Sequence, residues 1–261
     1  MISPARLSAL PLTLLLLGVL APVLGHAQTA VVNLSFENSD DHLANTGSAG
    51  TTFGYAQGSL TFATGVHGGT AAVFDGATSL QASDTPVGSA LTVAFWMNTS
   101  TTGPNAGEPQ WYFGAGLVDG ELGGEDLDWG VSLVGDKIAF GIGTPDTTIF
   151  STSNVTTGSW VFVAATWDAT GEMKLYINGT EEASTTGAGT DDRRMDNPFF
   201  VGQDLNDTFY TGSLDEIQIY DSALSSGQIA ALAAIPEPSA CAAILGVGAL
   251  GLAAWRRRRA A

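Results

Sequence analysis

The chain has 261 residues, a formal net charge of −17 and a single cysteine, Cys241. One cysteine excludes an internal disulfide framework and a cysteine-based metal centre. The acidic balance argues against nucleic acid and anionic lipid surfaces as partners, because both repel a negatively charged protein.

The first 27 residues are typical of a secretory signal peptide. Arg6 provides a positive start, residues 10–24 form a short apolar run, and the small residues that follow predict cleavage after Ala27. A first transmembrane helix is the alternative, but the run is short for a span of about 20 residues and contains two prolines. We therefore expect a folded, exported domain that begins at residue 28.

Residues 28–234 form the predicted domain, which is long enough to bury a single large core. This segment contains four basic and 25 acidic residues, so that its net charge is −21. Such a surface suits calcium, salty surroundings or a hydrated polymer matrix, and solubility alone is the simpler alternative.

Short alternating apolar runs separated by turns predict antiparallel strands. The runs lie at residues 30–36, 70–76, 78–83, 90–100, 129–143, 159–179 and 212–224. Asp75-Gly76 predicts a hairpin between the second and third runs, and Thr170-Gly171 predicts another within residues 159–179. One or two helical turns close the domain, and the absence of a long amphipathic helix favours an all-β sandwich.

Five of these stretches carry motifs that occur together in one family of domains. They are "VNLSFENS", "AAVFDGATSLQAS", "LTVAFWMNTS", "GSWVFVAATWDATGEMKLYINGTEEAS" and "YTGSLDEIQIYDSALSSGQIAAL". Their order and content resemble the bacterial laminin-G-like domains of the concanavalin A-like lectin/glucanase superfamily. The resemblance covers about residues 31–232 and implies an antiparallel jelly-roll β-sandwich with two large curved sheets.

The same superfamily includes glycoside hydrolases, which need a pair of carboxylates flanking the scissile bond. The stretch "DEIQIY" contains Glu216, but Gln218 and Tyr220 stand where the resemblance would require further carboxylates. Gly130 breaks the pattern after Asp128 in the same way. We therefore expect a protein that is not an enzyme, with a glycoside hydrolase as the disfavoured alternative.

Acidic residues follow the first predicted strand and recur in the last one. Because the first and last strands of such sandwiches often lie side by side, the likeness to carbohydrate-binding sandwiches implies one structural calcium ion at Glu37, Asp40 and Asp215. Solvated surface acids are the alternative. Two further acidic loops, residues 119–128 and 202–208, lack the spacing of an EF-hand and are expected to bind calcium only weakly.

Aromatic side chains near loops are the candidate contacts for a carbohydrate, whereas those inside strongly patterned strands are assigned to the core. The candidates follow turn-like or acidic segments. They are Trp111, Tyr112, Trp129, Phe209 and Tyr210.

The C-terminal stretch, residues 235–261, has three parts. Pro236, Glu237 and Pro238 come first, residues 239–255 carry no charge, and Arg256, Arg257, Arg258 and Arg259 follow. The uncharged part predicts a short transmembrane helix with the arginines on the cytoplasmic side.

This three-part pattern closely resembles the PEP-CTERM sorting signal of Gram-negative bacteria. The resemblance implies an exosortase-type processing protease as a partner, transient anchoring in the inner membrane, and delivery to the cell surface or the exopolysaccharide matrix. A permanent membrane anchor is the alternative. We expect an exported protein that binds an extracellular glycan or matrix, and a purely structural or adhesive matrix protein without a ligand site is the second hypothesis.

Overall fold

The computed structural model describes residues 28–124, 127–193 and 197–234. They form two antiparallel sheets packed face to face with one short helix, so the predicted all-β sandwich is confirmed. The predicted signal peptide and the predicted transmembrane helix at residues 239–255 lie outside the described residues. Within the described ranges, no helix has the length and apolar character that crossing a bilayer requires.

Fifteen strands, one 3-10 helix and one α-helix follow each other in the described part of the chain. The strands are β1 (Val32–Leu34), β2 (Phe53–Gln57), β3 (Thr61–Thr64), β4 (Thr70–Asp75), β5 (Ser79–Ala82), β6 (Leu91–Asn98), β7 (Ala115–Asp119), β8 (Trp129–Val134), β9 (Lys137–Ile142), β10 (Thr147–Phe150), β11 (Val161–Trp167), β12 (Met173–Ile177), β13 (Thr180–Thr185), β14 (Phe200–Val201) and β15 (Thr211–Tyr220). The 3-10 helix spans Trp111–Phe113, and α1 spans Ser226–Ala233.

The two sheets divide these strands almost equally. The eight-stranded sheet has the order β13-β12-β11-β6-β15-β4-β3, and β1 also pairs with β15. The seven-stranded sheet has the order β10-β9-β8-β7-β14-β5-β2. Every pairing between these strands is antiparallel, so each sheet can bury one face and leave the other available for loops.

One predicted hairpin is confirmed and the other is wrong. The turn at Thr170-Gly171 joins β11 to β12, whose ladder ends at the pair Trp167 and Met173. The turn at Asp75-Gly76 instead carries the chain from β4 in one sheet to β5 in the other. The glycine adopts the positive φ of 84° that such a turn needs. Local sequence therefore located the turn but not the sheet to which the second strand belongs.

The core lies between the sheets, and β6 is buried on both faces. Val93 and Phe95 point into the main core, whereas Trp96 belongs to a second cluster on the outer face. Ile229 of α1 packs into that second cluster. The helix begins with a capping box formed by Ser225 and Gln228, which satisfies backbone donors in its first turn. Because both faces of β6 are buried, its sequence is a nearly continuous run of apolar residues.

The outer face of the seven-stranded sheet is covered by Trp111. A Cβ atom added to Gly130 or Gly141 would lie 2.1 Å or 1.6 Å from the Trp111 ring, so the ring rests directly on the backbone of β8 and β9. The backbone N–H of Trp111 donates to the Thr148 hydroxyl at 3.3 Å, and the Ser132 hydroxyl donates to the Trp111 carbonyl oxygen. Two glycines in adjacent strands therefore create the space for the indole.

We expect the substitution Gly141→Ala to lower the free energy of unfolding by about 1–3 kcal/mol, because the new methyl group overlaps the indole of Trp111. The matched control is Gly54→Ala in β2 of the same sheet, where an added Cβ meets nothing within 4 Å. The control should change stability by less than about 1 kcal/mol. Urea denaturation followed by tryptophan fluorescence measures both, and equal midpoints for the two variants would contradict the packing of Trp111.

Candidate functional site

The first and last strands lie side by side, as the sequence predicts. β1 pairs with the second half of β15 through Val32 and Ile219, Asn33 and Gln218, and Leu34 and Ile217. The chain leaves β1 at Phe36, which has a positive φ of 59°. The residue that follows this turn therefore lies close to the middle of the closing strand.

Three carboxylates meet at this point, which we call the β1–β15 cluster: Glu37, Asp215 and Glu216. One oxygen from each lies within 4.8 Å of the other two. Asp215 is buried, Glu216 is half-buried and Glu37 is exposed. The loop at residues 65–70 closes over them, since Val66 N–H donates to Asp215 Oδ2 and Thr70 N–H donates to Glu37 Oε1, both at 2.9 Å.

A β-bulge in β15 allows two adjacent acids to reach the same cluster. Leu214 and Ile217 both enter the core, although a regular strand would place residues of that spacing on opposite faces. The register shifts between Asp215 and Gln218, and Glu216 adopts a positive φ of 48°. The departure from period two in "LDEI" is the sequence signal that points to the second acid.

The cluster carries negative charge without a basic partner. In the described part of the chain the one salt bridge joins Lys174 and Glu172, and neither residue belongs to the cluster. Burial raises the pKa of Asp215 to about 6, and repulsion from Glu216 and Glu37 adds to the effect. Burial, followed by repulsion from Glu37, likewise raises the pKa of Glu216. A cation bound among the three oxygens would remove this repulsion.

The cluster differs from the predicted calcium set in one member. Glu37 and Asp215 are present, but the third carboxylate is Glu216 rather than Asp40. Asp40 is exposed in the turn after β1, where its backbone N–H donates to the Asn38 side chain at 3.0 Å. Asp40 is not one of the grouped carboxylates, so the structure does not bring this predicted ligand together with Glu37 and Asp215.

Three of the five predicted carbohydrate contacts are interior residues. Trp111 and Tyr210 have no exposed surface, and Trp129 is 1% exposed. Trp129 and Tyr210 belong to the main core, and Trp111 covers the outer face of the seven-stranded sheet. A ring without accessible surface cannot stack on a sugar, so the expectation of an exposed platform is corrected for these three. Proximity to a loop in sequence did not reveal that the rings turn inward.

Tyr112 and Phe209 are half-buried and keep part of their surface available. Two exposed aromatic residues were missed by the sequence reasoning, Phe113 at 39% and Tyr55 at 46% exposure. Phe113 lies 4.8 Å from Tyr112 between ring centroids. The sequence signal for an exposed ring was the run of three consecutive aromatic residues at 111–113. A 3-10 helix turns adjacent side chains to different sides, so the three rings cannot all be buried on one face.

A cavity of about 330 Å³ opens beside Tyr112. Its lining combines one aromatic ring with two carboxylates from the loop before β8 and a third from the turn between β9 and β10. The lining residues are Tyr112, Glu121, Leu122, Gly124, Asp128 and Asp146. An aromatic face next to carboxylate acceptors is an arrangement that can hold a small polyhydroxylated molecule.

The two packed antiparallel sheets, with the cavity beside Tyr112, define a lectin-like β-sandwich. The family described as the concanavalin A-like lectin/glucanases superfamily matches residues 74–230. The chain belongs to this superfamily. The PEP-CTERM protein-sorting motif matches residues 234–259, and both resemblances stated from the sequence are thereby confirmed.

Solved structures share the fold at low sequence identity. Domain 4 of AbnA, a GH43 extracellular arabinanase from Geobacillus stearothermophilus in complex with arabinotriose, is 23% identical with a TM-score of 0.63, over 79% of this chain and 98% of that one. The binding domain of botulinum neurotoxin serotype G is 16% identical with a TM-score of 0.57, over 78% of this chain and 50% of that one.

The binding domain of Paraclostridial mosquitocidal protein 1 is 15% identical with a TM-score of 0.59, over 78% of this chain and 52% of that one. The chain thus spans about half the length of both toxin binding domains. No curated protein matches the sequence. At these identities the structural likeness establishes the fold and leaves the ligand to be argued from this chain's own residues.

Proposed function

We propose that this chain is an exported, non-catalytic protein that binds a glycan at the cell surface or in an exopolysaccharide matrix. The observation that carries the proposal is the cavity beside Tyr112, on a domain of a lectin-like superfamily followed by a PEP-CTERM motif. The second candidate, a structural or adhesive matrix protein, would make no use of that cavity.

The chemistry of the cavity favours a neutral sugar. The apolar C–H face of a furanose or pyranose ring would pack on Tyr112, and the exposed ring of Phe113 extends the apolar surface. Glu121 and Asp128 would accept hydrogen bonds from hydroxyl groups. A net charge of −21 on the domain would repel acidic polysaccharides. The arabinotriose complex of the arabinanase domain makes neutral arabinan oligosaccharides a reasonable first probe.

Binding to an array of neutral glycans that includes arabinotriose tests this proposal. We expect Tyr112→Ala to weaken binding about tenfold, which corresponds to about 1.4 kcal/mol for a lost stacking partner. The control is Tyr55→Ala, which removes an exposed tyrosine from the edge strand β2. Binding of no glycan, with or without calcium, would overturn the proposal in favour of a structural or adhesive protein.

We also propose that the β1–β15 cluster holds one structural calcium ion. Calcium prefers oxygen ligands and tolerates irregular geometry, which matches three carboxylates supplied by a strand end and a bulge. Glu37, Asp215 and Glu216 would bind the ion. It would tie β1 and the loop at residues 65–70 to the closing strand.

Thermal unfolding of the full-length chain in detergent tests this ion. A calcium concentration of 100 times the Kd should raise stability by about 2.7 kcal/mol, or roughly 5–10 °C in Tm, relative to EDTA. Asp215→Asn should reduce the response to calcium, because it removes the buried carboxylate from the ligand set. Asp40→Asn, an exposed control outside the cluster, should leave the response unchanged. Equal calcium responses in Asp215→Asn and the native chain would contradict the site.

We further propose that an exosortase-type protease removes the C-terminal segment in the native host. The PEP-CTERM match at residues 234–259 supports this step. The mature protein should have no mass beyond residue 240 by intact-mass spectrometry. Replacing Pro236, Glu237 and Pro238 with alanine should leave the tail attached. A mature native protein that keeps its arginines would instead favour a permanent anchor.

A further inference from the structure

One edge of the seven-stranded sheet carries no charge. It is β2, the outermost strand, which pairs only with β5 in the described part of the chain. Four of its five residues are exposed. Residues 43–74 contain no Asp, Glu, Lys or Arg and form the longest uncharged stretch of the domain. Because the domain has 25 acidic and four basic residues, two copies of this chain repel each other least at this edge.

The backbone groups of β2 alternate between β5 and the open side. Ser83 N–H donates to the Thr52 carbonyl oxygen at 2.9 Å, and the ladder is regular from Phe53 to Tyr55. In antiparallel strands, residues that exchange hydrogen bonds alternate with residues that do not. Thr52 and Gly54 therefore bond to β5, whereas Phe53 and Tyr55 point their N–H and C=O groups to the open side. No described strand lies there.

The other three sheet edges are protected against the addition of a strand. β13 carries Glu181 and Glu182, and charges on an edge strand oppose pairing with another chain. β10 begins directly after Asp146. At β3 the ring of His42 stacks on Phe62 at 4.0 Å between centroids, so the acidic loop after β1 lies beside that strand. Among the four edges in the described chain, β2 is therefore the most accessible to a further strand.

We propose that β2 is a self-association edge, at which two copies of this chain pair antiparallel around a two-fold axis at Gly54. Gly54 then lies opposite Gly54 of the partner subunit, and Phe53 lies opposite the partner's Tyr55. Each of the two Phe53–Tyr55 pairs exchanges two backbone hydrogen bonds through its outward groups. The two seven-stranded sheets become one continuous sheet. Because the contact is self-complementary, the assembly closes as a dimer.

The glycine at the axis permits the close approach. A pair whose N–H and C=O groups face away from the partner is the narrow kind, with Cα atoms about 4.5 Å apart. Gly54 has no Cβ in that space, and an added Cβ meets nothing within 4 Å in its own chain. On the shared face the half-buried ring of Phe53 packs beside the exposed ring of Tyr55, an aromatic pair that favours pairing. Because backbone atoms make the hydrogen bonds, loss of the Tyr55 ring leaves those bonds in place.

The pairing is short. The Thr51 carbonyl oxygen accepts from the Asn45 side chain at 3.1 Å, and a register shift between Tyr55 and Gln57 interrupts the ladder at the other end. The contact is therefore confined to residues 52–56, and a contact of this size gives a weak, concentration-dependent dimer. Such a dimer doubles the valency of every other site on the domain, whether or not that site binds a glycan.

Negative charge flanks β2 at both ends. Asp84 accepts from the Ser83 hydroxyl at 2.8 Å, and Asp207 accepts from the Gln57 side chain at 2.9 Å. Antiparallel pairing places the Asp84 end of one copy beside the Asp207 end of the other. The net charge of −21 on each domain adds to this repulsion. Since salt screens exposed charges, a higher ionic strength should strengthen the dimer.

Cysteine cross-linking tests the position of the axis. Gly54→Cys in a Cys241→Ala background leaves one cysteine for each copy, and a Cα separation of about 4.5 Å lies within disulfide range. The matched control is Gly227→Cys in α1, also an exposed glycine with nothing within 4 Å. When the full-length chain is mildly oxidised in detergent, Gly54→Cys should form linked dimers at least about ten times faster than the control. Association through the C-terminal segment alone would cross-link both variants equally and would overturn the proposal.

Sedimentation equilibrium of the full-length chain in density-matched detergent measures the affinity. Gly54→Asp places like charges at the axis and should weaken the dimer about tenfold. Gly227→Asp makes the same charge change away from β2 and should stay within about twofold of the native chain. The native dimer should tighten between about 0.1 M and about 1 M salt. A native chain that stays monomeric throughout, or equal affinities in the two variants, would contradict pairing through β2.

Hydrogen exchange distinguishes a second copy from any other occupant of the edge. The amide protons of Phe53 and Tyr55 should exchange quickly in dilute protein and more slowly as the protein concentration rises. Slow exchange at every concentration would mean that another segment of the same chain covers β2. Fast exchange at every concentration would mean that no strand is added there. Either result would overturn the proposal.

Discussion

The closing strand β15 is the constraint on which most of this structure depends. It pairs with β6 along one side, and with β4 and then β1 along the other. Its inward side chains, among them Leu214, Ile217 and Ile219, lie in the main core. A bulge interrupts this strand at Asp215 and Glu216. The strand that joins the first and last parts of the chain therefore also brings three carboxylates together.

The fold concentrates negative charge instead of dispersing it. The domain has 25 acidic and four basic residues, so most carboxylates cannot find a basic partner. Two groups are nevertheless partly buried, one at the β1–β15 cluster and one on the outer face of the seven-stranded sheet. Burying like charges together is unfavourable unless protons or cations neutralise them. The composition therefore makes the stability of this domain depend on how its grouped carboxylates are neutralised.

The aromatic residues show where reasoning from sequence reaches its limit. Trp111 and Trp129 flank loops in sequence, yet one rests on two glycines of the sheet and the other enters the core. Whether a ring near a loop is exposed depends on which strands lie beneath it, and that is a long-range property. Tyr112, one position after Trp111, faces a surface cavity because the 3-10 helix turns it to another side.

The sequence by itself determined the alternating strands, the turn positions, the superfamily and the sorting motif, since each depends on residues close together in the chain. It also predicted that Glu37 would lie near Asp215. Only the tertiary structure decided that β4 and β5 belong to different sheets and that Glu216, rather than Asp40, lies beside Glu37 and Asp215. Strand partners and bulges are set by contacts across the whole domain, and a period-two pattern records only which face of a strand is buried.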